Sequence, residues 1–348
     1  MLIVRLGSMG DIIHTLPAAT ALRQAFPAAS MGWVVEERWA ELLCTLPTPR
    51  SGPRSPQRPL VDRIHAVNTA KWRKSRRSLQ AWQEIAAALS ELRAPGYELA
   101  VDFQGAARSA LIARWSGAPV IYGVAQPREN VASMAYTRQV IARGTHVVEQ
   151  NLSLAEAVAG RMLELPAVEF PSDETAEQAC DRQLREEGIA DFVLLNPGAG
   201  WGAKRWPAER YGDLARQLAS DGLKSVINVG PGEQELLDRA VGASGGAAKG
   251  SICSITQLIA LTGRARLFVG GDTGPLHLAA ARGIPVVAIF GPTNPARNGP
   301  FGGRSLVLRS PSSTTSHARR AQPDKGILEI SSDQVVRAAR QLLGEGRG

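Results

Sequence analysis

Cysteine is scarce in this chain. Cys44, Cys180 and Cys253 lie far apart and form no CxxC pair, which argues against a disulfide framework and against a zinc site. Long apolar runs are missing as well. None reaches the 18 or so residues that a membrane span requires, although hydrophobic residues make up 44% of the sequence. The opening MLIVRLGSMGD has an apolar stretch too short for a signal peptide and passes straight into a glycine-containing turn. A cytoplasmic protein is expected. His14, His65, His146, His277 and His317 are dispersed without HxxxH spacing, and there is no DxD. No metal site is expected, and a metal-dependent transferase of the DxD type is disfavoured. GxxxxGK[ST] is also absent.

Acidic residues are outnumbered, with 32 Asp+Glu against 40 Lys+Arg and a net charge of +8. The excess is local. Arg50, Arg54, Arg58, Arg63, Lys71, Arg73, Lys74, Arg76 and Arg77 fall within residues 47–77 beside a single acid, Asp62. This points to an anionic partner, or else to a solvated loop followed by a basic helix face.

What is present is an alternation of strand-like and helix-period segments, twice over. In the first half, strands are expected at 2–6, 32–35, 63–67, 99–102 and 120–123. Helices are expected at 12–26, from 36 to about 46, at 79–92, from 105 to 114 and at 147–163. Residues 47–60, rich in Pro, Arg and Ser, read as a mobile loop. Pro166 and Pro171 bracket a linker, and the pattern restarts. Strands are expected at 192–195, 225–229, 267–269, 284–290 and 305–308. Helices are expected at 208–220, 233–241, 254–261, from 274 and at 332–343, the last capped by Ser331 or Ser332. Residues 310–324 read as irregular. At 348 residues the chain can hold two cores. The expected fold is α/β, with two Rossmann-like domains, 1–168 and 169–348, facing across a cleft, and with the last helix free to pack back on the first domain.

Three strand-to-helix loops carry chemistry. In Gly7-Ser8-Met9-Gly10-Asp11, the glycines let backbone approach a ligand. Asp11 suits a general base, or a helix cap. In Asn196-Pro197-Gly198-Ala199-Gly200-Trp201-Gly202-Ala203-Lys204-Arg205, Lys204 suits charge neutralisation on a diphosphate leaving group. In Gly270-Gly271-Asp272-Thr273-Gly274, Thr273 and the amides around Gly274 suit phosphate oxygens, and Asp272 suits ordering of the loop, or accepting from a sugar hydroxyl or an amide. His277 is either a phosphate donor or a core histidine. Glu233, after Gly230-Pro231-Gly232, is placed to accept from ribose hydroxyls, or is an ordinary first-turn glutamate. In a parallel sheet these loops lie at the carboxyl edge, where ligands bind.

Taken together, SMGDIIHTLPA, WVVEERWAELL, WRK, VDFQGAARSALIAR, NPGAGWGAKRWP and GGDTGPLHLAAARGIPVVAIFGPTNP resemble the ADP-heptose:lipopolysaccharide heptosyltransferases, glycosyltransferase family 9. PRENVASMAYTR and THVVEQNLSLAEAV are similar to the type I enzymes, which add the first heptose to Kdo. The resemblance implies a GT-B, metal-independent, inverting transferase without a cofactor, ADP-heptose being a substrate. It makes Asp11 the base and Lys204 the partner of the departing ADP. Ala199, Gly200, Glu233, Cys253, Asp272, Thr273, Gly274 and His277 fall on the donor side, with Cys253 near the adenine. Lys71, Arg73, Lys74, Arg76, Arg77 and Arg128 fall where the acceptor's carboxylates and phosphates would dock, and Ser8, Met9, Gly10 and Gln104 complete the acceptor set. The expected acceptor is a Kdo-lipid A type molecule, reached by peripheral contact with the anionic cytoplasmic face of the inner membrane. A heptosyltransferase II, or a family 9 transferase with another acceptor, is the alternative within the family. A nucleic-acid-binding protein using residues 47–77 is the alternative from another class, and the first reading expects no nucleic acid.

Overall fold

A computed structural model describes residues 1–75, 78–316, 318 and 320–344. The chain divides into two units, Met1–Ser172 and Asp173–Gly348. In the first, strand β1 (Leu2–Val4), helix α1 (Met9–Ala25), β2 (Gly32–Glu36), β3 (Arg63–Val67), α2 (Thr69–Lys74) and α3 (Leu79–Arg93) are followed by β4 (Leu99–Asp102), α4 (Ala107–Trp115), β5 (Val120–Val124), β6 (Arg138–Val140) and α5 (Val147–Ala159). The second runs α6 (Glu174–Glu186), β7 (Phe192–Asn196), α7 (Ala208–Ser220), β8 (Lys224–Val229), α8 (Gln234–Ala243), β9 (Ala248–Ile252) and α9 (Ile255–Thr262). It continues with β10 (Leu267–Gly271), α10 (Gly274–Ala281), β11 (Val286–Phe290), α11 (Pro295–Asn298), β12 (Ser305–Arg309), α12 (Lys325–Glu329) and α13 (Ser332–Gly344).

Each unit holds one parallel sheet with the same winding, β3-β2-β1-β4-β5-β6 and β12-β11-β10-β7-β8-β9. In register, Ile3 pairs with both Trp33 and Val101, and Val269 with both Leu195 and Val287. The central strands β1, β2, β7, β10 and β11 are buried at every position. This is why they read as continuous apolar runs rather than alternating ones: helices cover both faces of a parallel sheet. Along β7, Val193 and Leu195 join one core cluster with Trp206, Tyr211 and Leu342. Phe192 and Leu194 join the other, with Phe268, Leu276 and Phe290. The strand order reverses between β1 and β4 and between β10 and β7, so the loops after those strands lie side by side at each switch point.

Several boundaries differ from the sequence reading. The helix expected from 36 is a 3-10 turn, Glu37–Leu42. The helix expected to reach 163 stops at Ala159, where Gly160 takes a left-handed φ of 67° as its C-cap. Residues 47–60, expected to be mobile, are organised around Arg58. That residue is 2% exposed, and its guanidinium donates to the carbonyls of Pro49, Gly52, Pro53 and Val61. The closing helix α13 packs on α7 and on β10, β11 and β12 of its own unit, where the sequence reading left it free to return to the first.

Candidate active site

The loops that the sequence reading assigned to the donor all follow strands of the second unit. After β7 the chain crosses Gly198 and turns through a 3-10 segment, Gly202–Lys204. Trp206 anchors its far end: its indole is buried and donates to the Ile330 carbonyl at 2.8 Å. The turn delivers Lys204 to the end of β10. Its Nζ lies 2.5 Å from Asp272 Oδ2, 3.2 Å from the Asp272 carbonyl and 5.3 Å from the centre of the Trp201 ring. The other oxygen of Asp272 sits 3.0 Å from His277 Nε2. Burial pushes the Asp272 carboxyl up, but the His277 bond and the Lys204 charge outweigh it and hold the group well below the usual carboxylate range. Asp272 is therefore an ionised hub that fixes a lysine and a histidine in place. Its loop-ordering role has geometric support, and His277 is a buried ligand of that hub.

Thr273 caps α10 in extended conformation, and its hydroxyl donates to the Gly271 carbonyl at 3.3 Å. Gly274 opens that helix, placing its positive end beside Lys204. Glu233 folds back, accepting from the Gly230 amide at 3.0 Å and standing 3.9 Å from Arg205. A Cβ at Gly198 would lie 2.8 Å from the Glu233 carboxylate, so the two loops touch. Arg205 also donates to the buried Ala199 carbonyl at 3.4 Å, while Gly200 is exposed. The structure thus gathers Ala199, Lys204, Arg205, Glu233, Asp272, Thr273, Gly274 and His277 along the carboxyl ends of β7, β8 and β10. Cys253 follows β9, the sheet's edge strand. Its thiol is 3.3 Å from Ser251 Oγ, packs against core residues, and is pushed up by burial. A Gly-x-Ser-x-Gly stretch, Gly242–Gly246, begins within the last turn of α8 instead of following a strand. Ser244 there is fully buried and bonded to Val241 and Ala248, so it is no nucleophile elbow.

In the first unit, Asp11 occupies the third residue of α1. One carboxylate oxygen accepts from the Ser8 amide at 2.9 Å and its hydroxyl at 3.0 Å. The other is 2.8 Å from the Arg5 guanidinium, and the side chain remains a third exposed. Burial raises its pKa, and Arg5 with the Ser8 donors more than reverses this, leaving it below the ordinary aspartate value. Asp11 therefore caps the helix and also presents an ionised edge to solvent. Arg5 escaped the sequence reading; a lone cation in an apolar strand was its signal. It is buried and also donates to the Phe103 carbonyl. Gly7 allows the turn to pass Trp39, whose indole nitrogen would be 2.8 Å from a Cβ.

Gln104, after β4, reaches across the switch point to accept from the Leu6 amide at 2.9 Å, beside the Asp11 turn. Gly105, at φ 65°, lies against the backbone of Pro127 and Arg128, whose own side chain is exposed. Met9 and Gly10 are buried in the first helical turn, while Ser8 before it is exposed. The basic segment also changes meaning. Arg50 pairs with Glu37, Arg54 with Asp62, Lys71 with Glu84, and Arg58 is internal. Two acids outside the segment, Glu37 and Glu84, thus pair with two of its cations. Arg73 and Lys74 are exposed on α2; Arg76 and Arg77 lie outside the described residues.

Two parallel Rossmann-like sheets of identical winding, with a lysine–aspartate–histidine cluster at a helix N-terminus of the second, give the chain the GT-B fold. The chain belongs to glycosyltransferase family 9 (heptosyltransferase), whose model matches residues 85–327. It is 31% identical over 323 residues to lipopolysaccharide heptosyltransferase 1 of Pseudomonas aeruginosa, covering 89% of this chain and 83% of that one. It is 29% identical over 320 residues to the Escherichia coli K12 protein of the same name, covering 89% and 93%. The E. coli heptosyltransferase WaaC solved with ADP superposes with a TM-score of 0.77 at 28% identity, covering 98% of this chain and 99% of that one.

Proposed function

We propose that this chain is a heptosyltransferase I, moving heptose from ADP-heptose onto Kdo of a lipid A precursor with inversion. The observation that carries the reading is the run of relatives named lipopolysaccharide heptosyltransferase 1, which align over more than four-fifths of both lengths. The Lys204–Asp272–His277 cluster supplies a matching chemistry. In the proposed step an acceptor hydroxyl oxygen forms a bond to the anomeric carbon while the bond from that carbon to the diphosphate oxygen breaks. ADP departs with the electron pair, and the hydroxyl proton passes to Asp11. Lys204 and the N-terminus of α10 offset the charge that develops on the diphosphate, and no cofactor is called on. Asp11 is ionised at neutral pH, the form a base requires. Arg5 lowers its proton affinity, so transfer becomes favourable only as the attacking hydroxyl acidifies on bonding to carbon.

Among the described residues no helix is long and apolar enough to cross a membrane. In the proposal, a lipid-anchored acceptor is met by peripheral contact, to which the exposed Arg73, Lys74 and Arg128 contribute positive charge. The test is ADP release from ADP-heptose with Kdo-lipid A, heptosylated Kdo-lipid A and free oligosaccharides. Release with the first alone supports the assignment. Release with the second alone makes the chain a later heptosyltransferase. Salt-sensitive oligonucleotide binding without ADP binding would favour the nucleic-acid reading.

A further inference from the structure

Among the described residues of the polar stretch after β12, 310–316, 318 and 320–324, none lies in a helix or strand, yet the stretch is bonded into the donor loops. The Ala203 amide donates to the Arg320 carbonyl at 3.0 Å, and the Ala203 carbonyl accepts from the Asp324 amide at 3.2 Å. Both backbone groups of the residue before Lys204 are thus held by this stretch. Gly202 meets it at closer range: a Cβ there would lie 1.5 Å from the Ala321 carbonyl oxygen, so only glycine fits. On its other side the turn rests on the sheet edge. A Cβ at Gly271 would be 3.1 Å from the Lys204 carbonyl, and one at Gly291 would be 3.3 Å from the Ala203 carbonyl.

The stretch is itself tied down. Arg309 donates to the Gly291 carbonyl at 3.1 Å, the Ser313 carbonyl at 2.9 Å and Thr315 Oγ1 at 3.2 Å. Ser316 donates its amide to the Pro292 carbonyl at 2.8 Å. The Ser313 hydroxyl donates to Asp324, which also caps α12 through the Gly326 amide. Two anchored ends, 310–316 and 320–324, therefore hold the backbone that carries Lys204.

We infer that this stretch is a positioning strap for Lys204: it fixes the Gly202–Lys204 turn so that the ammonium meets the diphosphate without having to be ordered during the reaction. None of its described residues is assigned contact with the reacting atoms. It acts through Ala203, as preorganised charge requires a fixed support. The inference rests on the donor role proposed for Lys204.

The test is a double-mutant cycle on ADP-heptose turnover with Kdo-lipid A, using the full chain, Gly202→Ala and Lys204→Ala. Gly202→Ala should lower kcat by roughly tenfold or more, with ADP affinity changed far less. In the Lys204→Ala background the same substitution should cost no more than about twofold, because the group it misplaces is gone. Equal losses in both backgrounds would overturn the strap. Arg309→Ala, which releases the strap from Gly291 without forcing a clash, repeats the cycle if Gly202→Ala does not fold, and must show the same non-additivity. Wild-type protein that binds ADP but turns over none of the acceptors would sink the functional reading. Wild-type turnover with an additive cycle sinks the strap alone.

Discussion

Asp11 is a half-buried and Asp272 a buried carboxylate, both held ionised, and their partners separate their roles. Asp11 spends one oxygen on Ser8, pairs the other with Arg5, and stays a third exposed. Asp272 is enclosed between Lys204 and His277, with 6% of its side chain exposed. For Asp11→Asn the expected outcome is a loss of turnover of roughly 10²- to 10⁴-fold, the range of a general base, with ADP affinity by calorimetry unchanged. Near-wild-type turnover would remove Asp11 from the chemistry. Asp272→Asn should instead destabilise the fold by about 3 kcal/mol at pH 7, since it strips a buried cation of its partner. The folded pKa of Asp272 lies below the ordinary aspartate value of 3.8. Its contribution is therefore fully present above that pH and is lost only as pH falls through the folded value. Urea midpoints should show a constant gap between variant and wild type from pH 7 to 5, narrowing only below 3.8. A gap that closes by pH 5 would contradict the pairing.

At the scale of elements, the last helix gives a discriminating prediction. Ser331 accepts from the Gln334 amide at 3.3 Å while its own amide donates to the Gln334 side chain at 2.8 Å, a reciprocal cap. Ser331→Ala should cost about 1 kcal/mol in chemical denaturation, and Ser332→Ala, one residue inside the helix, should be neutral or gain a few tenths, since alanine is the better helix former. Equal costs would reject the cap. The same element shows why much of the fold was legible. Val335, Val336, Ala339 and Leu342 are buried while the facing positions are charged, a helical period that composition cannot hide. The central strands were legible as apolar runs. Of the edge strands, β3 and β12 were read and β6 and β9 were not: β6 is Arg-Gln-Val and β9 is Ala-Lys-Gly-Ser-Ile, both largely solvated, so neither apolar runs nor alternation marks them. Helix α6 was missed because only Leu184 is buried in it. At the site, the loops could be read because glycines and charged residues punctuate apolar strands. What could not be read was pairing over long sequence separations. Lys204 meets Asp272 across 68 residues, and Arg50 meets Glu37 from another element. The anionic-partner reading of residues 47–77 weakened for that reason alone.

At the scale of the whole molecule, three hydrophobic clusters each lie within a single unit. One cluster joins Leu2, Val34, Ala100, Ile121 and Tyr136, all in the first unit. Two others lie on opposite faces of the second sheet. No apolar core residue of either set is shared, so each unit carries its own stabilising burial. A ligand that binds one native unit stabilises that unit by mass action, about 2.7 kcal/mol at a hundredfold excess over Kd. With ADP at that concentration, amide exchange of the most protected residues in β7, β8, β10 and β11 should slow by roughly 100-fold. Exchange in β1, β2 and β4 should change little. The loops should respond as well, and most at Gly202–Arg205 and Thr273–His277, the segments proposed to meet the diphosphate. Mass spectrometry of exchanged peptides reads both sets in one experiment. Slowing spread evenly over both sheets would show that the two cores unfold as one, and slowing confined to the first sheet would place the nucleotide on the wrong unit.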